Sequence, residues 1–411
     1  MSVHSRTLIG VFSLAVVIRL ATLAVLLPEM KPDVDPDSYR SLGRNLAVGK
    51  GFVAVSLDGR ELPNVSRTPV YPLFLASLIR VGGDKLGLFL AAQCVLGALT
   101  CLLTALLASR WLSWRAAAVA GMLVALDPNS IQRCVDLRTE TLFTLLLVGG
   151  ACVLAWRSER WWGWLLGGVL WSDAALCRPV AVGLWVVALL LMFVTKARWT
   201  WYGAFMIAFL ALVGAWAGRN TNLTGRWFVS TIPTYNLLIY RAAGVKAEET
   251  HQPLETVQQQ LLADCGDIQF FDGRERFAST LRTYRRTAMY ILSSAPFLAA
   301  RQAVVGWMKV LFGPGARGLE NELNTTGRSA RWWPLLYGVG LAGLTLLAIV
   351  GAIRLGRNGL LLVVLSVYFV VLAGGPEANS RFRAPITPML AILTVASMAT
   401  LRKKECDTES L

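Results

Sequence analysis

Residues 33–72 read DVDPDSYRSLGRNLAVGKGFVAVSLDGRELPNVSRTPVYP and form the first long polar stretch of a chain that is otherwise mostly apolar. The stretch follows a hydrophobic run at about residues 7–27 and leads into another beyond Tyr71. About 20 apolar residues suffice to cross ~30 Å of hydrocarbon, so the first run is long enough to span a membrane. The loop opens on Asp33, Asp35 and Asp37, broken by Pro36 and followed by Tyr39, and it closes on Arg67. Acids at one end and an arginine at the other can face the same membrane surface.

Working outward, the 411 residues are 55% hydrophobic and only 16% charged, with a mean hydropathy of +0.53. An ordinary soluble chain has about 25% charged residues. Apolar runs recur along the chain, which predicts an all-α polytopic membrane protein; a transmembrane barrel would show ~10-residue alternating segments instead. The net charge of +15 does not indicate nucleic acid, because part of it lies in clusters at helix ends. Such clusters set orientation in the membrane. His4 and His251 are far apart and the seven cysteines include no C-x-x-C, so no metal site is read.

About ten spans are expected, near residues 7–27, 86–107, 116–126, 139–156, 161–177, 180–194, 199–217, 334–353, 360–373 and 385–401. Arg6, Arg110/Arg115, Arg157/Arg160, Lys196/Arg198, Arg354/Arg357 and Arg402/Lys403/Lys404 then fall on one side. The positive-inside rule puts that side, with both termini, in the cytoplasm. Residues 1–218 form an N-terminal transmembrane module whose first outer loop is 28–69. Residues 219–332 form an extracytoplasmic or interfacial segment with no clear span, and 333–411 the last helices and a short tail. Within the loop, Asp37–Val48 reads as a short interfacial helix stopped by Gly49 and Gly51, and Tyr71–Val81 as an apolar helix too short to span.

The charged residues at the outer face are the candidates for chemistry. Asp33-x-Asp35-x-Asp37 starts like an EF-hand loop, but Ser38 replaces the sixth-position glycine and Arg44 the final glutamate, which argues against calcium. The cluster is either a general base at the interface or a solvated acidic turn. Arg67 either holds a phosphate oxygen or snorkels at a helix start. Glu140, in VDLRTETLFTLLL, begins an apolar run and is either functional or paired with Arg138 or Arg178. Arg381 and Arg383, in PEANSRFRAPITP, share a face if the segment before Pro385 is extended, as a phosphate clamp or as headgroup anchors.

These pieces, in order, resemble the GT-C superfamily of membrane glycosyltransferases. The branch they look most like holds the dolichyl-phosphate-mannose–protein mannosyltransferases and the aminoarabinose transferases (glycosyltransferase 39-like). The motifs are Asp35-Pro36-Asp37-Ser38-Tyr39, SLGRNLAVGKGF, RTPVYP, Thr139–Phe143, LCRP at 176–179, Trp216–Asn220 and Arg381–Pro388. The resemblance implies a GT-C-like bundle and a polyprenyl-phosphate sugar donor. It implies transfer at the extracytoplasmic side of the plasma (inner) membrane, usually with inversion, to a lipid, glycan or protein acceptor. It also implies roles: Asp35 as catalytic base with Asp37 a neighbour or substitute, and Arg67, Arg381 and Arg383 at the donor phosphate. Tyr39, Glu140 and Arg178 would contact substrate. No cofactor is certain, and a divalent cation stays open, since Ser66 stands where the aminoarabinose transferases carry an acid. The alternatives are a transporter or flippase of lipid-linked sugars, or a non-catalytic scaffold.

Overall fold

The computed structural model describes residues 3–31, 35, 37–56, 59–313 and 333–400. Asp33 and the basic tail at 402–404 lie outside them. The architecture is a helical bundle with a smaller helical unit seated on one end. By length and composition, five helices can cross a membrane: Ser5–Glu29, Leu86–Ala108, Glu140–Arg157, Trp199–Thr224 and Leu335–Leu372. A sixth is formed if the pair Arg274–Ser294 and Pro296–Phe312, bent by 97°, counts as one. Shorter apolar helices accompany them at Val70–Gly82, Trp114–Leu126, Pro179–Thr195 and Thr387–Met398. This is an integral membrane protein.

In chain order the bundle begins with α1 (Val3–Leu26), α2 (Tyr39–Ala47), α3 (Val70–Gly82), α4 (Leu86–Ala108) and α5 (Trp114–Leu126). It continues with α6 (Pro128–Val135), α7 (Glu140–Arg157), α8 (Trp161–Cys177), α9 (Leu184–Thr195) and α10 (Trp199–Thr224). The basic ends of α4 and α7 come together as expected. Arg110 at the end of α4 donates to Ala155 O of α7 at 3.2 Å, and its guanidinium lies over Trp156. The opposite ends of these helices carry the polar loop and form the loop face.

The expected eighth and ninth runs are one continuous helical stretch broken by a 3-10 turn at Gly356–Gly359. Before the turn is α16 (Trp333–Leu355) and after it α17 (Leu360–Leu372); α18 (Thr387–Met398) follows. Gly356 has φ +53°, a left-handed conformation that glycine adopts without a Cβ penalty. The turn reverses the chain: Tyr337 near the start of α16 donates to Asp127 at the loop face, while Arg354 reaches the carbonyls of Ala396 and Ser397 at the other end. Leu372 then returns to the loop face, where it lines a cavity.

One cation in the first apolar run has a structural use that the run conceals. Arg19 is 1% exposed, within a span where a charge costs about 2.5–3.5 kcal/mol on insertion scales. Its guanidinium donates to Val124 O and Ala125 O at the end of α5, both at 3.2 Å. Val124 O has no helical donor four residues on, because residue 128 is proline. Arg19 supplies that missing donor.

The 219–332 segment, read as lacking a span, is helical where it is described: α11 (Ile232–Tyr235), a π-helical turn at Asn236–Ala242, α12 (Ala243–Glu249), α13 (Leu254–Cys265), α14 (Arg274–Ser294) and α15 (Pro296–Phe312). It has its own small core, including Leu238, Val257, Leu261, Phe277, Tyr284 and Ile291. Val65 of the first loop belongs to that core. The loop's hairpin, β1 (Val53–Val55) with β2 (Glu61–Pro63), is extended by the segment: Val65 N donates to Gln269 O at 3.0 Å and Phe271 N to Pro63 O at 2.9 Å. The first loop and the segment are therefore one layer above the bundle.

Candidate active site

A cavity of about 1430 Å³ opens where that layer meets the helix ends. Asp37, Tyr39, Arg67, Glu140, Arg178 and Arg381, six of the residues singled out in the sequence, line it. Asp35 and Arg383 do not.

The turn before α2 separates the two aspartates. Asp35 accepts from Arg40 N at 2.9 Å and Ser41 N at 2.8 Å, one amide on each carboxylate oxygen. These are first-turn amides of a helix, which have no partner within it. Ser38 has φ +60°, unusual for a residue with a Cβ. That left-handed turn brings Asp35 back onto the helix and leaves Asp37 facing the cavity. Asp37 pairs with Arg67 Nη2 at 3.2 Å and with Arg138 Nη1 at 3.5 Å. Arg138, read from the sequence only as a candidate partner of Glu140, joins the site through Asp37 instead.

Arg67 is placed by a compact turn. Asn64 Oδ1 accepts from Ser66 N at 3.1 Å and Arg67 N at 2.8 Å, and Asn64 itself is 2% exposed. Thr68 Oγ1 donates to Cys177 O at 3.2 Å, tying the turn to the end of α8 beside Arg178. The Arg67 guanidinium lies 5.1 Å from the centre of the Tyr39 ring, a cation–π contact. Tyr39 packs edge-on against Tyr71, whose hydroxyl donates to Gln93 at 2.6 Å. Burial pushes the Tyr39 phenol up to about 12, with Asp37 adding to the rise and Arg67 opposing it. Burial alone lowers Arg67, but Tyr39 and Asp37 outweigh it and hold the guanidinium above its ordinary value.

The second half of the site is built at three helix ends. Glu140 is the first residue of α7, where the helix dipole favours a carboxylate, and is 2% exposed. Its Oε1 is 2.7 Å from Arg178 Nη1 and 3.1 Å from Arg381 Nε. Among the described residues its Oε2 has no hydrogen-bond partner. Arg178 is extended before Pro179, which ends α8 and turns the side chain into the cavity. Its guanidinium lies 5.7 Å from the rings of both Phe143 and Phe382. The pairing of Glu140 with Arg178 was one of the two readings open in the sequence; Arg381 adds a second cation.

Arg381 and Arg383 do not share a face. Ser380–Arg383 is a 3-10 turn rather than an extended strand, and it points the two guanidinia apart. Arg383, 2% exposed, donates to Val310 O at 3.0 Å and Gly313 O at 2.9 Å at the end of α15. It serves the backbone there and lies off the cavity.

The remaining wall comes from the smaller helical unit and carries residues that the sequence did not single out. Tyr235, Tyr240 and Arg241 lie at the π-helical turn, a feature frequent at functional sites. Arg241 Nε is 3.1 Å from Glu377 Oε1 and its Nη2 donates to Leu372 O at 2.8 Å, joining the unit to the end of α17. Burial, reinforced by Asp37, raises the Tyr240 phenol. Tyr235, Tyr240 and Arg241 belong to no motif, and tertiary packing brings them to the site. Among the described residues no group of three or more His, Cys, Asp or Glu is placed to hold a metal.

Residues 66–217 match the family model of dolichyl-phosphate-mannose-protein mannosyltransferase. No curated protein matches the chain. Among solved structures, the Archaeoglobus fulgidus oligosaccharyltransferase tethered with an acceptor peptide is 15% identical with a TM-score of 0.55, covering 96% of this chain and 49% of that one. The same archaeal protein, AglB, in complex with an inhibitory peptide and a dolichol-phosphate gives 14% identity, a TM-score of 0.55, and coverage of 96% and 50%. ArnT from Cupriavidus metallidurans bound to undecaprenyl phosphate is a looser match, 15% identical with a TM-score of 0.43, covering 95% of this chain and 78% of that one. The chain spans about half the length of the archaeal protein. Its fold is similar to that protein's, and with the match over 66–217 it bears out the likeness to the GT-C superfamily that the ordered motifs carry.

Proposed function

We propose that this protein is a glycosyltransferase that moves a sugar from a polyprenyl-phosphate donor to a hydroxyl or amine of a lipid, glycan or protein acceptor. The loop face is taken as the extracytoplasmic side of the plasma (inner) membrane, with about ten passes, because the basic ends collect at the opposite face. The observation that carries the reading is a pair of clusters in one cavity. Arg67 and Arg138 share Asp37, and Arg178 and Arg381 share Glu140. Each cluster keeps one positive charge uncompensated.

That surplus fits the charge change of the reaction. A sugar phosphodiester carries one negative charge, and the prenyl phosphate that leaves carries up to two. Fixed cations aimed at it stabilise the departing phosphate more than the bound donor, which is what accelerates a reaction. As the acceptor oxygen or nitrogen bonds to the anomeric carbon, the bond from that carbon to the phosphate oxygen breaks. The acceptor's proton passes to Asp37, the aspartate that faces the cavity. Attack opposite the leaving phosphate inverts the anomeric centre. Asp35 positions Asp37 by fixing the start of α2. The free Oε2 of Glu140 accepts from a sugar hydroxyl, and Phe143, Phe369 and Phe382 offer an apolar wall to the first prenyl units. The matched family and the dolichol-phosphate bound by the archaeal protein support a lipid-phosphate donor.

The test is sugar transfer by purified protein in detergent, from a panel of labelled polyprenyl-phosphate sugars to a membrane-extract acceptor pool. Asp37→Asn is expected to abolish transfer while donor binding persists, and Arg67→Ala to weaken donor binding. Movement of intact donor across proteoliposome membranes, with no cleavage, would establish a transporter instead.

A further inference from the structure

The bend between α14 and α15 exposes apolar and basic side chains that the sugar chemistry does not use. On α14, Phe277, Tyr284, Ala288 and Ile291 face the unit's core. Arg282, Arg285 and Arg286 lie on the opposite, exposed face, followed by Met289 and by Tyr290, which is 75% exposed. The helix has no acidic residue after Glu275, so nothing on it offsets these arginines. The chain then turns through 97° at Ala295-Pro296, and Phe297 at the tip is 91% exposed.

On α15, Gly306 and Val310 are buried, and Gly306 packs against Gly375 of the bundle. The other side presents Phe297, Val304, Val305 and Met308 at helical spacing, all exposed. The only charge within that stripe, Arg301, pairs with Glu248. An apolar stripe of three turns on a helix that packs against membrane spans has lipid as its natural solvent. Basic residues that give way to aromatic and aliphatic ones along one face are the pattern of a helix seated at a headgroup boundary.

We infer that the α14–α15 elbow is an interfacial wedge that docks on anionic phospholipid headgroups. The α15 stripe lies in the acyl boundary, Phe297 and Tyr290 mark its depth, and Arg282, Arg285 and Arg286 take lipid phosphates. The partner is the membrane surface, chosen by charge complementarity and by continuity of the stripe with the bundle. Lys309 and Gly313, at the far end of α15, line the cavity, so lipid contact at the elbow is coupled through one helix to the site wall. The wedge is independent of which sugar, if any, is transferred.

Spin labels on the full chain in proteoliposomes test it. Phe297→Cys, Val304→Cys and Tyr290→Cys are made in a Cys265→Ser/Cys406→Ser background, which leaves only the buried cysteines, with Val55→Cys as an aqueous control. Labels at 297 and 304 are expected to collide with dissolved oxygen and to be shielded about tenfold from an aqueous nickel chelate relative to the label at 55. The label at 290 is expected to sit deeper in phosphatidylglycerol than in phosphatidylcholine vesicles, and Arg282→Gln/Arg285→Gln/Arg286→Gln should erase that difference. Nickel access at 297 and 304 equal to that at 55 would overturn the wedge. Equal depth at 290 in both lipids, with 297 and 304 shielded, would overturn the anionic docking.

Discussion

The turn at Asp35–Tyr39 and the turn at Ser380–Arg383 lie far apart in sequence and meet at one cavity, and each carries two like charges spaced by two. In both turns one charge holds backbone and the other faces the cavity. Asp35 takes the amides of Arg40 and Ser41, while Asp37 meets Arg67 and Arg138. Arg383 takes carbonyls at the end of α15, while Arg381 meets Glu140. They differ in what the backbone-holding charge supports: a nine-residue helix in the first loop, and in the second the docking of the smaller helical unit onto the bundle. Motif identity alone does not assign a role; backbone geometry decides which of two neighbours reaches the substrate space.

The largest effect that could break this comparison is catalytic. Asp37→Asn is expected to lower transfer by about 10²–10⁴-fold, the range for a positioned base, with an unchanged melting temperature. Asp35→Ala should keep transfer within about tenfold and cost about 1 kcal/mol of stability through the lost cap. Parallel turnover and thermal-unfolding measurements decide it, and a dead Asp35→Ala beside an active Asp37→Asn would invert the assignment.

The arginine pair should separate in the same assays. Arg383→Gln leaves carbonyls of α15 unsatisfied, at about 1–3 kcal/mol for each buried group, and should lower the melting temperature clearly. Arg381→Gln should leave melting unchanged and weaken binding of a polyprenyl-phosphate probe by about tenfold or more, as expected for a lost charge-assisted bond. Equal losses of stability in both variants would show that the two arginines are not divided in role.

The smallest effect tests the turn itself. Ser38→Gly removes a Cβ from a left-handed position but frees the unfolded chain, so stability should stay within about 1 kcal/mol of wild type with full transfer. A β-branched Ser38→Val is expected to lose both stability and activity, because it suits φ +60° poorly. If Ser38→Val were indistinguishable from wild type, the turn would not be what aims Asp37.

Much of this was legible in the sequence. The apolar runs and their basic ends lead to the observed helices, since span length and terminal charge are local properties. Asp37, Tyr39, Arg67, Glu140, Arg178 and Arg381 stood out as charged or aromatic residues at the loop face. Arg383 was misplaced because spacing by two was read on an extended chain, whereas Ser380–Arg383 makes a 3-10 turn. Arg19 was hidden within an apolar run, and its partner carbonyls more than a hundred residues away could not be inferred from it. Tyr240, Arg241 and Glu377 were missed because they meet only where the smaller helical unit packs on the end of α17.

The turn at Asn64 has a practical consequence for making the protein. Asn64-Val65-Ser66 is an acceptor sequon by pattern, yet the asparagine is 2% exposed and its side-chain oxygen holds the amides that set Arg67. A cell that attaches N-glycans to nascent chains would reach this asparagine only before the turn closes. A glycan fixed there would keep the loop from closing over the site. Production in such a host should therefore yield an inactive fraction glycosylated at Asn64 beside an active one unmodified there, distinguished by peptide mass mapping, and Asn64→Asp, which keeps an acceptor oxygen, should remove the inactive fraction.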